Sequence, residues 1–306
     1  MTSVESAKKR VVVTGGSGKL GRAVVRHFAE NGYAVTNVDR VPPAELPDGV
    51  RFLQADLTDY GQAVQVLTHV DEHYGTLPVG SGDGVDALVH LAAVPAPGMI
   101  PDSATFANNT TITYNLFSAA RLAGVRRVVF ASSETVLGLS FDTTPPPYFP
   151  VDEEYAVRPQ SSYSLGKAAD EELARHFARW CPDSAFIGLR FSNVMHPEHY
   201  ADFPAFDADA RSRSWNAWGY IDARDGGLAC RLAVESDLVG AENFIIANAD
   251  TVMSRPSAEL IAEVFPGIPV QRELTGTETV LSIDKARRLL GYEPQHSWRE
   301  PDTEGP

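Results

Sequence analysis

Cationic side chains are in short supply: 26 Lys and Arg stand against 40 Asp and Glu, a formal net charge of −14 at pH 7. A chain this acidic is a poor general partner for nucleic acid or an anionic membrane, although a local basic pocket for a phosphate stays open. Cysteine is scarcer still. Cys181 and Cys230 alone make no disulfide framework and no thiolate metal site, and as small apolar side chains they fit a reducing compartment. No apolar run approaches the roughly 20 residues of a membrane span. MTSVESAKKR (1–10) leads straight into a strand pattern without a signal-type apolar stretch, so a cytoplasmic protein is expected. What the chain does have is apolar content, 43% of 306 residues, enough for one large domain or a main domain with a smaller lobe.

The first half alternates apolar strand-like runs with amphipathic helical patterns: RVVVTG (10–15), GRAVVRHFAENG, YAVTNVD (33–39), RFLQAD, a helical pattern from Asp59 to about Tyr74, DALVHLAA (86–93), a helix ending near NLFSAARLAG (115–124), and RRVVFASS (126–133). Continuous apolar strands between helices predict a doubly wound α/β fold, a parallel sheet covered on both faces. YGTLPVGSGDGVD (74–86) reads as a surface loop, and DTTPPPYFP (142–150) is too rich in proline for a helix or central strand. A helix is predicted from about Ser162 to Trp180 and a strand from Ala185 to Arg190. An irregular aromatic-rich segment to Tyr220, a strand in ENFIIAN (242–248), and short helices near 257–264 and 283–290 follow. The expected division is a dinucleotide-binding domain over 1–190, with return strands near 219–222 and 242–248, and a mainly substrate-binding lobe over 191–306.

TGGSGKLG (14–21) follows the first strand and opens the first helix, with Gly15, Gly18 and Gly21 at three-residue spacing. Glycines there let backbone N–H groups approach a pyrophosphate at the positive end of a helix. Asp39, ending the second strand, would accept hydrogen bonds from ribose hydroxyls and repel a 2′-phosphate, favouring NAD. Arg40, with Lys19 or Arg22, could instead pair with a 2′-phosphate, so NADP stays open. Asp56 suits either the adenine amino group or an N-cap.

Lysine makes up only five of the basic residues, yet one closes YSLGK (163–167). On a helix, Tyr163 and Lys167 share a face and can address one bound molecule. A phenol ordinarily titrates near 10; a nearby ammonium and a cationic nicotinamide favour phenolate, which makes a general base for an alcohol proton. FASSETVLG (130–138) supplies hydroxyls at a strand end on the same side, with Ser133 to hold the substrate oxygen and Ser132 to support the backbone.

Taken together, these segments resemble the extended short-chain dehydrogenase/reductase family, also called the NAD-dependent epimerase/dehydratase family, over nearly the whole chain. TGGSGKLG is similar to its TGxxGxxG, HLAA (90–93) to a cofactor-side strand end, and NTTITYNL (109–116) to an Asn-containing helix. SSETVLG is similar to SSxxVYG, YSLGK to YxxxK, LRFSNV (189–194) to RxxNV, and SIDKARRLLGYEP (282–294) to the C-terminal signature. The resemblance implies Tyr163 as acid/base, Lys167 as its partner and nicotinamide-ribose ligand, and Ser133 as substrate-oxygen donor. It implies cofactor contacts at Gly15, Gly18, Lys19, Leu20, Gly21, Asp39, Arg40, Asp56, Leu57, Leu91, Ala92, Ala93 and Asn109, the last bracing the site. Substrate contacts are expected at Ser133, Glu134, Asn193 and Trp218, and a homodimer is expected.

Leu137, Ile112 and Gly166 depart from the family pattern in ways that should change packing alone. Near NAWGYIDARD (216–225), Trp218-Gly219 stands where nucleotide-sugar members carry an Arg-Asp pair whose Arg holds a diphosphate. That favours a carbohydrate dehydrogenase acting on a sugar or sugar acid, similar to uronate dehydrogenase, over a nucleotide-sugar epimerase or dehydratase retaining NAD. A non-catalytic dinucleotide sensor would need no base. Trp215, Trp218 and Tyr220 suit either stacking on a sugar ring or an interlobe core. His196 and His199 in HPEHY have no third nearby ligand, so no metal is expected.

Overall fold

The computed structural model describes residues 8–68 and 84–300. In chain order the elements are β1 (Arg10–Thr14), α1 (Lys19–Glu30), β2 (Ala34–Asp39), β3 (Arg51–Gln54), α2 (Tyr60–Thr68), β4 (Ala87–His90), α3 (Asp102–Ala123), β5 (Arg127–Ser133), α4 (Ser162–Trp180) and β6 (Ala185–Phe191). There follow β7 (Val194–Met195), α5 (Phe203–Phe206), β8 (Ile221–Asp222), α6 (Ala223–Glu235), β9 (Gly240–Ile246), α7 (Ser257–Val264) and α8 (Asp284–Leu290). The loop expected over 74–86, and the end of the helix expected to reach Tyr74, fall mostly outside the described residues.

One seven-stranded sheet runs β3-β2-β1-β4-β5-β6-β9, with every neighbouring pair parallel. Side chains alternate faces along a strand, and β1 shows the consequence: Val11 and Val13 enter one core with Phe28 and Ile187, while Val12 enters the other with Leu88, Phe117 and Phe130. Both faces are therefore covered, as the unbroken apolar strands demand. The chain winds outward from β1 through β2 and β3, then returns to β4 on β1's other side. Such a switch point opens a crevice at the carboxyl ends of the strands. Gly15, Leu91 and Ser133 all lie there.

The strand expected near 219–222 forms outside the large sheet: β8 pairs with β7 in a two-stranded ladder. Just before it stand two residues with positive φ, Ala217 at 53° and Trp218 at 59°. β9 is the strand that closes that edge. The proline-rich segment docks on the C-terminal part, with Phe149 bridged to Val270 and Val151 to Leu281. Among the described residues no helix is long and apolar enough to cross a membrane.

Candidate active site

At the crevice lies a cavity of about 1010 Å3. One end is built from backbone. Gly15 takes φ 73°, and a Cβ there would sit 2.6 Å from the Ala92 nitrogen; at Gly21 it would sit 2.1 Å from the Gly15 carbonyl oxygen. Neither position has room for a side chain, so the loop and the first turn of α1 pack directly on each other and on the end of β4. Gly18 caps α1 without a side-chain hydrogen bond, and no acidic residue sits in the first turn, which leaves the helix N-terminus open to an anion. Asp39 accepts from the Ser17 N–H at 3.1 Å and from the Arg40 N–H at 2.7 Å, so its carboxylate stands beside the glycine loop. Lys19, Leu20, Arg40, Leu57, Leu91, Ala92 and Ala93 line the same end. Burial pulls the Lys19 ammonium below its ordinary range, with Glu198 opposing.

Two residues expected at the cofactor stand back from the cavity. Asp56 is exposed, and its carboxylate accepts from the Thr58 N–H at 3.0 Å and the Thr58 hydroxyl at 2.7 Å, a local turn ahead of α2. Asn109 is buried and bonds both the N–H and the carbonyl of Val94, at 2.8 and 3.0 Å, bracing the segment after β4.

The other end is built from side chains on β5, α4 and the segment after β6. A capping box between Ser161 and Ser164 starts α4 one residue before Tyr163. Lys167 Nζ donates to the Ala131 carbonyl at 2.6 Å and lies 3.5 Å from Asp170. Burial pushes the Asp170 carboxyl up to about 6 against the pull of that ammonium. Ser133 Oγ accepts from the Thr135 N–H at 3.2 Å and the Thr135 hydroxyl at 3.0 Å, which leaves its own proton to donate. Ser132 does more than support the backbone: it donates at 2.6 Å to buried Glu171, which also takes a two-pronged contact from Arg190 at 2.9 Å on each side. His90 is held between Thr14 and Thr113, and burial keeps its imidazole neutral, with a pKa of about 3.

Glu134, only 3% exposed, also lines this end. Ser192 donates to it at 2.5 Å and the Asn216 amide at 3.0 Å. Burial raises its carboxyl to about 7, opposed by those hydrogen bonds, the charge of Arg213 and the Asn193 N–H. Asn193 and Trp215 line the cavity, whereas Trp218 does not. Its left-handed backbone turns the indole into the core, where Nε1 donates to the Ala210 carbonyl at 2.7 Å and the ring meets Phe265 edge-on. Tyr220 is buried as well.

Tyr163, Lys167, Ser133, Glu134, Asn193 and the glycine loop thus come together in one cavity, and Asp56, Asn109 and Trp218 stay out of it. Sequence reasoning missed Ser192 and Asn216, which hold Glu134 from 58 and 82 residues away. It also missed Glu171, although Tyr163, Lys167 and Glu171 repeat every four residues along one helix face.

A model of the NAD dependent epimerase/dehydratase family matches residues 11–214. An NAD-dependent glucose-6-phosphate dehydrogenase of Haloferax volcanii is 28% identical over 304 residues, covering 96% of each chain. A UDP-glucose 4-epimerase of Mycolicibacterium smegmatis is 32% identical over 172 residues, 53% of this chain and 49% of that protein. Several other relatives are likewise spanned over only 48% to 53% of their length. Among solved structures, a short-chain dehydrogenase/reductase superfamily protein from Agrobacterium tumefaciens with bound NAD shares the fold at TM-score 0.69 and 24% identity, covering 95% of this chain and 94% of that one.

Proposed function

Because the chain belongs to the NAD-dependent epimerase/dehydratase family, we propose that it is the dehydrogenase of a free sugar or sugar acid that lets its reduced cofactor go. The observation that carries this choice is the segment Trp218-Gly219. A Cβ at Gly219 would lie 2.6 Å from Leu281 and 2.8 Å from the Ser192 hydroxyl, and the Trp218 indole is turned into the core. No diphosphate-binding side chain reaches the cavity from here. Two of the arginines nearby are engaged elsewhere: Arg190 by Glu171 and Arg224 by Asp222, each at 2.9 Å.

The glycine loop fits a dinucleotide on its own geometry, since side chains at Gly15 and Gly21 would collide with backbone and the α1 N-terminus carries no competing carboxylate. In this reading its N–H groups hold the pyrophosphate and Asp39 the adenosine ribose. The nicotinamide, when bound, supplies the hydride acceptor. Ser133 donates its free proton to the substrate oxygen and fixes the carbinol. Tyr163 takes the hydroxyl proton as the carbon is oxidised, with the Lys167 ammonium, anchored on Ala131 and Asp170, as its electrostatic partner.

A panel of free aldoses and uronic acids, run beside UDP- and dTDP-sugars with NADH and product epimers both monitored, tests the reading. Turnover of free sugars with accumulating NADH is expected. Conversion of the nucleotide sugars alone, without net NADH, would replace it with an epimerase that returns the hydride.

A further inference from the structure

The two ends of the cavity differ in charge, and that difference bears on which sugars can enter. Lys19 and Arg40 line the glycine-loop end; at the reaction end the charged groups are Glu134 and Lys167. Lys167 is already committed to the Ala131 carbonyl and to Asp170. Arg213, the nearest further cation to Glu134 in effect, does not line the cavity. It is packed over Phe206 at 5.4 Å and Trp215 at 5.2 Å and donates to the Gly219 carbonyl at 3.3 Å. The segments outside the described residues, 1–7, 69–83 and 301–306, contain no Lys or Arg at all.

Glu134 is held as an acceptor. Ser192, Asn216 and the Asn193 N–H all donate hydrogen bonds to its carboxylate. A buried carboxylate that lines a cavity can take one further donor there, and a sugar hydroxyl is such a donor. Where Glu134 is ionised, a carboxylate or phosphate on the substrate would bring a second negative charge into the same desolvated space, and among the described residues Lys167 is the one cation lining that end. Further polar side chains lining the cavity, among them Ser133, Thr135, Ser140, Ser192 and Asn193, are neutral.

We propose, resting on the dehydrogenase reading above, that the substrate is an uncharged polyhydroxylated carbinol, that sugar acids and sugar phosphates are turned away, and that Glu134 is the residue that discriminates. The substrate class thereby differs from that named for the Haloferax volcanii relative.

The test uses matched sugars that differ at one terminus: D-glucose against D-glucuronate and D-glucose 6-phosphate, and D-galactose against D-galacturonate. kcat/KM is read as NADH formation by the protein at saturating NAD and about pH 8, where the Glu134 carboxyl is ionised. The neutral member of each set is expected to exceed its charged partners by about 100-fold or more. Glu134→Gln keeps an acceptor and drops the charge, so the preference is expected to shrink by about tenfold or more, with an NAD titration confirming that the glycine-loop end is folded. The panel on the parent protein decides the main point without the variant. Preference for the charged members would overturn the inference and leave the dehydrogenase reading standing. NADH from none of the sugars, with UDP-sugars epimerised, would overturn the reading itself. A Glu134→Gln enzyme with an unchanged preference would remove Glu134 from its role.

Discussion

The glycine-loop end of the cavity is made of backbone, and the reaction end is made of buried charge. At the first, Gly15, Gly18 and Gly21 bring a loop, a helix start and a strand end within contact, and the Asp39 carboxylate accepts from neighbouring N–H groups. At the second, Lys167 with Asp170, Glu171 with Arg190, and Glu134 near Arg213 are ion pairs or near-pairs taken out of water. Backbone tolerates small changes in surrounding side chains but no added atom. A buried charge network tolerates changes of shape far better than the loss of one partner. The two ends should therefore break in different ways: the first by losing affinity, the second by losing turnover or acquiring a new pH dependence.

The largest expected effect is at the reaction end. Tyr163→Phe should lower kcat by about 10²- to 10⁴-fold with NAD affinity nearly intact, because the ring still packs and only the phenolic oxygen is gone. Residual activity within a few-fold of the parent would remove Tyr163 from the chemistry. At the other end, Asp39→Ala should weaken NAD by about 10- to 100-fold, the loss of charge-assisted hydrogen bonds, and shrink any preference over NADP. Calorimetric titration with both dinucleotides measures it, and equal affinities in the parent protein would mean that Arg40 governs instead.

A smaller effect separates the ends by pH. Burial holds the Glu134 carboxyl at about 7, above its ordinary 4.5, so the folded state keeps a proton that the unfolded chain gives up between those values. Its contribution to stability is present at the acid end and is lost as pH rises through that window. Asp170, raised to about 6, acts in the same direction, while His90, lowered to about 3, acts in the opposite one. The difference in Tm between Glu134→Gln and the parent cancels these shared terms and should move in the variant's favour as pH rises from about 5 to about 8. A difference that stays flat would contradict the buried, raised carboxyl. The smallest effect compares two glycines. Gly166 in α4 has only ordinary contacts, at 3.9 to 4.0 Å from an added Cβ, so Gly166→Ala should stabilise by about 0.5–1 kcal/mol. Gly21→Ala, with its Cβ 2.1 Å from the Gly15 oxygen, should destabilise, and thermal melts of the pair show whether the backbone end is as tight as its geometry says.

That contrast also explains what could be read from residues alone. The glycine loop, Asp39 and the parallel strands depend on local pattern and φ freedom, and they appear where pattern puts them. So does α4, Ser162–Trp180, with its capping serines in plain view. Of the two places open to Trp218, a sugar-stacking wall or the core, it takes the core, and nothing in Ala217-Trp218 announces two consecutive residues with positive φ. The environment of Glu134 was equally hidden, because it depends on Ser192 and Asn216, which only tertiary folding brings near. Asp56 shows a different limit: a strand-terminal carboxylate serves a turn as readily as a ligand, and here the two protons of Thr58 claim it. Glu171 could have been found, since it continues the four-residue repeat of Tyr163 and Lys167.

The most direct test of the account follows a labelled hydrogen. A sugar that the enzyme turns over, carrying deuterium on the carbinol carbon, is incubated with excess NAD, and the label is located by mass spectrometry and NMR. Deuterium is expected at C4 of the nicotinamide in released NADH, one per sugar oxidised and far beyond the amount of enzyme present. Deuterium retained in an epimerised sugar, with no NADH leaving the protein, would contradict it.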